Sequence, residues 1–243
     1  MLPEQLFSDI IGSIPHRNGA RTMIGLLKAT VLFQDLPEDC IAHMLLPRGN
    51  LREYARGQFL FAPQQKVERL GVVVSGTVNL MHIFADGSYS LMSSLSTGKI
   101  LGADLVCTGS RMAPYHAAAV SPVRVLYFPA ALFLEPGRLP EALRLKILNR
   151  LLVLIANQNM QKEYRLAILA RKGLRERIVT YLTMQAAKRG TDSFTIPFSR
   201  EELAAFLCVN RSALSHELSQ MQQEGLIAFR KNRFTLSRQL LTQ

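Results

Sequence analysis

The stretch FSREELAAFLCVNRSALSHELSQMQQEGLIAFRKNRFTL, residues 198–236, constrains this chain more than any other. Ser199 followed three residues later by Glu202 is a capping box, in which hydroxyl and carboxylate satisfy free amides at a helix start. Leu203, Ala204, Phe206 and Leu207 supply one short apolar face. Cys208-Val209-Asn210 interrupts it, and Asn210 is a good cap for a second helix. There Leu214, Leu218 and Met221 recur at helical spacing and turn inward, leaving Arg211, Ser212, Ser215, His216 and Ser219 outside. Gly225 stops that helix. Leu226–Phe229 and Phe234–Leu236 then alternate as strands around Arg230-Lys231-Asn232-Arg233. Two short helices, a tight turn and a basic hairpin in this order predict a winged helix-turn-helix. Its second helix suits a DNA major groove, and its hairpin cations suit the flanking phosphates. Candidate duplex-contacting residues are Ser199, Arg200, Asn210, Arg211, Ser212, Ser215, His216, Ser219, Arg230, Lys231 and Arg233.

The formal net charge of +11 favours a polyanionic partner without distinguishing DNA from RNA or an anionic membrane. From Arg171 onward there are twelve Lys/Arg against six Asp/Glu, so the basic excess also extends outside the reader. Three dispersed cysteines, Cys40, Cys107 and Cys208, include no CxxC pair, which argues against a zinc knuckle and for a reduced, cytoplasmic protein. The first residues, MLPEQLFSDIIGS, carry acids and no cationic start, so no signal peptide is expected. The longest apolar run, within Leu151–Ala156, is too short to span a bilayer, and no membrane partner is expected.

Between Leu51 and Phe128 the chain breaks into short strand-like pieces: 58–61, 69–74, 77–84, 89–95 and 123–128. Ser75-Gly76 and Asp86-Gly87 are tight-turn dipeptides between them. This texture predicts an antiparallel sandwich or barrel. From Pro140 to Ala170 one helix about 46 Å long is predicted. Its residues Leu145, Leu148, Leu152, Ile155, Asn159, Lys162, Leu166 and Leu169 follow the 3-4 spacing of a two-stranded seam. A second stripe, Ile147, Leu151 and Leu154, is free to pack on the barrel. Arg171-Lys172-Gly173 makes a hinge before an amphipathic helix from Leu174 to about Ala187.

An antiparallel barrel, a long dimer-type helix and a winged reader in that order resemble the cyclic-AMP receptor protein / fumarate-nitrate regulator superfamily. VVVSGTVNLMHIFADGSYSLM looks like its barrel core, KILGADLV its effector-binding turn and AAAVSPVRVLYFP its closing strands. The resemblance implies an α+β chain: a cyclic-nucleotide-binding-like β-barrel with N-terminal helices (1–138), a dimerisation helix (139–170) and a winged helix-turn-helix (171–243). It further implies a homodimeric, sequence-specific transcription regulator with double-stranded DNA, RNA polymerase and a small-molecule effector as partners. Leu145, Leu148, Leu152, Ile155, Asn159, Leu166 and Leu169 would form the dimer seam. Gly102, Ala103, Asp104, Tyr115, His116, Asn159, Lys162 and Glu163 would line the effector site, between barrel and long helix. Ser212 and His216 stand where many relatives have Glu and Arg, and Cys208 where many have Gly.

The effector itself is unassigned. Ala113-Pro114-Tyr115-His116-Ala117 lacks the Arg-Ser pair that holds a cyclic phosphate, which disfavours cyclic AMP. The Tyr-His-Ala-x-Ala run resembles the nitrogen-control branch, and IFADG and TGSRM resemble the regulator of chlorophenol respiration. A haem or redox sensor using Cys107 or His116 is an alternative, although haem is disfavoured: Met92, Met112 and Met160 read as core filler, not as ligands. The other alternative, a metal-binding barrel enzyme with an accessory domain, finds His43, His82 and His116 isolated. Nor is there a nucleophile elbow or P-loop, so neither metal nor catalysis is expected.

Overall fold

The structure, a computed structural model, describes residues 16–241; the N-terminal residues read above for a leader lie outside them. The described chain forms two compact units, residues 16–81 with 93–158 and residues 82–92 with 159–241.

In the first unit, helix α1 (His16–Lys28) and a run of helical turns over 38–48 precede the strands. These are β1 (Asn50–Tyr54), β2 (Phe59–Phe61), β3 (Arg69–Ser75), β4 (Val78–Ile83), β5 (Tyr89–Leu95), β6 (Ile100–Leu101), β7 (His116–Ala119) and β8 (Val123–Pro129), of which residues 82–83 of β4 and 89–92 of β5 fall in the second unit. They make two four-stranded sheets, β1-β8-β3-β6 and β2-β7-β4-β5. Of the two expected arrangements this is the sandwich: the sheets do not close into a barrel and form a jelly-roll-like pair. Its edge strands β2 and β6 have only three and two residues, too few to carry a ladder across to the other sheet. Gly76 makes the β3–β4 turn at φ 82°, where a Cβ would stand 2.2 Å from the Pro122 carbonyl oxygen, so no other residue fits.

Alternation sends Leu70, Val72, Leu126 and Phe128 to one face of the first sheet. They are buried there with Leu27, Phe33, Ile41 and Leu45 and with Leu143, Ile147 and Leu151. The last three belong to the long helix α4 (Glu141–Leu169), which follows the short helices α2 (Ala103–Val106) and α3 (Ala131–Leu134). The second apolar stripe thus packs on the sandwich as the spacing predicts, with Leu154 half-buried beside it. At 29 residues α4 is about 44 Å long.

The second unit contains the end of α4, helix α5 (Leu174–Arg189), β9 (Ser193–Thr195), α6 (Arg200–Phe206), α7 (Arg211–Gln223), β10 (Ile227–Arg230), β11 (Arg233–Leu236) and α8 (Arg238–Leu241). Its core joins Ile178, Tyr181 and Leu182 of α5 to Leu203 and Phe206 of α6, Leu214, Leu218 and Met221 of α7, and Ile227, Phe234 and Leu236 of the hairpin. The sheet order is β10-β11-β9. Strand β9 escapes the sequence reading because only Phe194 of its three residues is buried.

Candidate nucleic-acid interface

The reader is built by its caps. Ser199 Oγ accepts from the Glu202 amide at 3.2 Å, and Glu202 Oε2 accepts from the Ser199 amide at 2.8 Å. Asn210 Oδ1 accepts from the Ala213 amide at 2.7 Å and from Ser212 Oγ at 2.9 Å, which starts α7. Leu214, Leu218 and Met221 are fully buried, so the opposite side of α7 must face outward. Arg211, Ser212, His216 and Ser219 are exposed there and Ser215 is half-buried, as the spacing predicts. The exposed Gln220 and Gln223, which the sequence reading omits, extend this face. Ser199 and Asn210, expected as duplex contacts, spend their side chains on capping, and Ser219 Oγ donates to the Ser215 carbonyl at 2.9 Å.

Between the helices Cys208 has φ 56°, the left-handed region where glycine is favoured. Two arginines that no local spacing reveals hold this turn. Arg165 lays its guanidinium 5.2 Å from the Phe206 ring centre, donates to Ser90 Oγ at 2.7 Å and to the Phe206 carbonyl at 3.4 Å, and lies 3.8 Å from Cys208 Sγ. Arg177 donates to the Leu207 carbonyl at 3.2 Å, so the free carbonyls ending α6 are satisfied by cations. Arg175 ties α5 to α7 through Glu217 and, just past the end of α7, a two-pronged pair with Glu224 at 2.6 and 2.8 Å.

In the wing, Ile227, Ala228, Phe229 and Arg230 pair with Leu236, Thr235, Phe234 and Arg233. Arg230 and Arg233 are therefore directly opposed and both exposed. Like charges in that relation repel, and an anion laid across them removes the repulsion. Arg200, expected to touch the duplex, instead stacks its guanidinium 4.7 Å from the Phe229 ring centre. Burial and the nearby Arg211 charge hold the Arg200 guanidinium below its ordinary pKa.

The effector candidates divide. Gly102 adopts φ 78°, and Asp104 two residues later receives the Tyr115 hydroxyl at 3.0 Å from each carboxylate oxygen. Tyr115 is buried against Phe61, ring centres 5.8 Å apart. Burial and the Asp104 charge push its phenol pKa well up, so it stays a donor. His116, on the following strand, lies beside the Phe59 ring at 5.2 Å, and its buried Nδ1 has no protein partner. Ala103 is buried. Asn159, Lys162 and Glu163 are exposed on the part of α4 belonging to the second unit. An open cleft of about 510 Å³ in the second unit is lined by Arg175, Val179, Glu224 and Leu240 among others and includes none of these candidates.

On the seam, Leu145, Leu152 and Leu166 are 48%, 68% and 60% exposed, Asn159 is exposed, and Leu148, Ile155 and Leu169 are half-buried. Met112 and Met160, expected as core filler, are 42% and 49% exposed. Met160 lies on the helix stretch that also exposes Tyr164, and Met112 follows Arg111 in a left-handed loop. Among the described residues there is no group of three His, Cys, Asp or Glu able to hold a metal, and no helix long and apolar enough to cross a membrane.

A sheet sandwich carrying a glycine-led turn, followed by a winged helix-turn-helix, defines a regulator that couples a cyclic-nucleotide-binding-like domain to a DNA reader. Residues 51–135 match the cyclic nucleotide-binding domain family and residues 176–241 the Crp-like helix-turn-helix domain, together more than half of the chain. The chain belongs to the Crp/Fnr superfamily of transcription regulators. It is 25% identical over 192 residues to the global nitrogen regulator of Synechococcus elongatus, covering 76% of this chain and 85% of that protein. It is 27% identical over 204 residues to the nitrogen fixation regulation protein FixK of Azorhizobium caulinodans, covering 81% and 79%. Among solved structures, FixK2 from Bradyrhizobium japonicum superposes with TM-score 0.61 at 18% identity, covering 80% of this chain and 96% of that one. CprK complexed with OCPA gives 0.58 at 22%, covering 78% and 87%.

Proposed function

We propose that this regulator acts in the cytoplasm as a homodimer paired along α4, without catalytic activity of its own. Each copy presents α7 to one half of a two-fold DNA site, while the wing cations meet flanking phosphates and RNA polymerase acts downstream. A small molecule bound at the Gly102–Asp104 turn, with Tyr115 and His116, adjusts the readers, and Asn159, Lys162 and Glu163 stay candidates by family resemblance. Domain limits of 1–138, 139–170 and 171–243 go with this reading. Asp104 holding a phenol, where a cyclic phosphate would require a fixed cation, disfavours cyclic AMP.

One observation carries the reading above the others. The polar face of α7 is outward and capped, beside a hairpin whose exposed arginines oppose each other. The test is selection of duplexes from a random pool by the full chain, with sedimentation in parallel. A two-fold symmetric sequence with half-sites about 10–10.5 base pairs apart, or a multiple of that spacing, and a dimer are expected. A monomer that enriches no sequence would overturn the proposal.

A further inference from the structure

The wing has an internal fastening, and it uses a cation that a simple reading assigns to DNA. Phe229 and Phe234 are opposed on the hairpin with ring centres 5.7 Å apart and stacked. Arg200, the first residue of α6, lies over both, 4.7 Å and 6.0 Å from the ring centres. From there Nη2 donates to the Lys231 carbonyl at 3.4 Å. Lys231 sits at the hairpin tip with φ 55°, a conformation that a long side chain adopts only when its surroundings hold it there. The other side of the tip is tied by Asn232, whose carbonyl accepts from the Ile196 amide at 2.9 Å while its Nδ2 donates to the Ile196 carbonyl at 3.0 Å. Arg230 and Arg233, being the register neighbours of Phe229 and Phe234, project from the opposite face of the ribbon.

We infer that Arg200 is a positioning residue: by stacking on Phe229 and Phe234 and holding the Lys231 carbonyl, it fixes the wing so that Arg230, Lys231 and Arg233 meet phosphate together. Its own charge is occupied by the rings and that carbonyl. A guanidinium is suited to the task because it stacks and donates in one plane, which an ammonium does not. The inference rests on the reader assignment above.

The experiment measures how binding of the full chain to the selected duplex depends on salt, for wild type, Arg200→Lys, Arg200→Gln, Phe229→Leu and Lys231→Ala. The slope of log affinity against log salt falls by about 0.9 for each phosphate that is no longer neutralised. Phe229→Leu removes no charge, yet it should lower the slope by about two or more for the dimer, at least one phosphate per protomer. Arg200→Lys keeps the charge and should behave like Arg200→Gln. Lys231→Ala should weaken wild type by several-fold but add little in the Phe229→Leu or Arg200→Lys background. A Phe229→Leu slope equal to wild type, or an Arg200→Lys variant that binds like wild type while Arg200→Gln does not, would make Arg200 a direct phosphate ligand and overturn the inference. Should Phe229→Leu fail to fold by circular dichroism, the lysine variant, at a half-exposed position, decides alone. If wild type itself shows no salt-dependent duplex binding, the reader assignment fails first, a separate result.

Discussion

Replacing Asn210 separates building the reading helix from using it. Its Oδ1 takes the Ala213 amide at 2.7 Å with the backbone extended at φ −76°, ψ 153°, the geometry of an N-cap. Asn210→Ala leaves that amide to water and should cost about 1 kcal/mol, within a range of roughly 0.5–2. That corresponds to about a fivefold rise in the open fraction of the first turn. Asn210→Asp restores the acceptor and adds a negative charge at the positive end of the helix, worth about 0.3–1 kcal/mol. The aspartate should therefore hold the helix as well as wild type, while weakening duplex binding by repelling phosphate. Hydrogen exchange of the peptide covering α7 is the suitable assay, because a chain of two units need not unfold in one step. Faster exchange in the alanine variant alone is expected. Unchanged exchange in Asn210→Ala together with lost sequence preference would refute the reasoning and make Asn210 a base reader.

Leu152→Lys should dissociate the dimer: burying each leucine contributes about 1.5–3 kcal/mol, counted twice by symmetry, and sedimentation over a concentration series will read it. Tyr115→Phe removes a hydrogen bond to a carboxylate and should destabilise the sandwich by about 1.5–3 kcal/mol in denaturant titration; a change under about 0.5 would mean water replaces the phenol freely. The Arg175 hydrogen bonds hold the Glu224 carboxyl below its ordinary pKa of 4.5, so its contribution is complete above that pH and is lost as pH falls through the folded value. Wild type should then melt above Glu224→Gln at pH 7, with the gap closing in acid; a gap independent of pH would exclude the ion pair as its source. Cys208→Gly should relieve roughly 1–2 kcal/mol of left-handed strain, partly offset by the entropy glycine loses on folding, so a small net gain in melting temperature is expected.

What the sequence announces is what short-range physics decides. The capping box at Ser199, the Asn210 cap, the Leu214/Leu218/Met221 stripe and the Gly225 stop are local, and all stand where periodicity puts them. The buried Ile147 and Leu151 stripe of α4 was legible for the same reason. Side chains that meet across long separations were not. Arg165 reaches Ser90 and the α6 end from 75 and 41 residues away, and Arg175 finds Glu217 across 42. Arg200 looked like a free cation because the rings that hold it come about 30 residues later. Alternation reports which face is buried and says nothing about whether edge strands close, so the strand texture leaves sandwich and barrel open and the barrel comes only with the family resemblance.

The measurement that bears most directly on the account is the affinity of Arg211→Ala for its selected duplex and for a scrambled one. An exposed arginine opening α7 should cost about 1–3 kcal/mol on the selected sequence, with the preference relaxed at one base position of each half-site. Equal losses on both duplexes, or none on either, would contradict the placement of α7 against base edges.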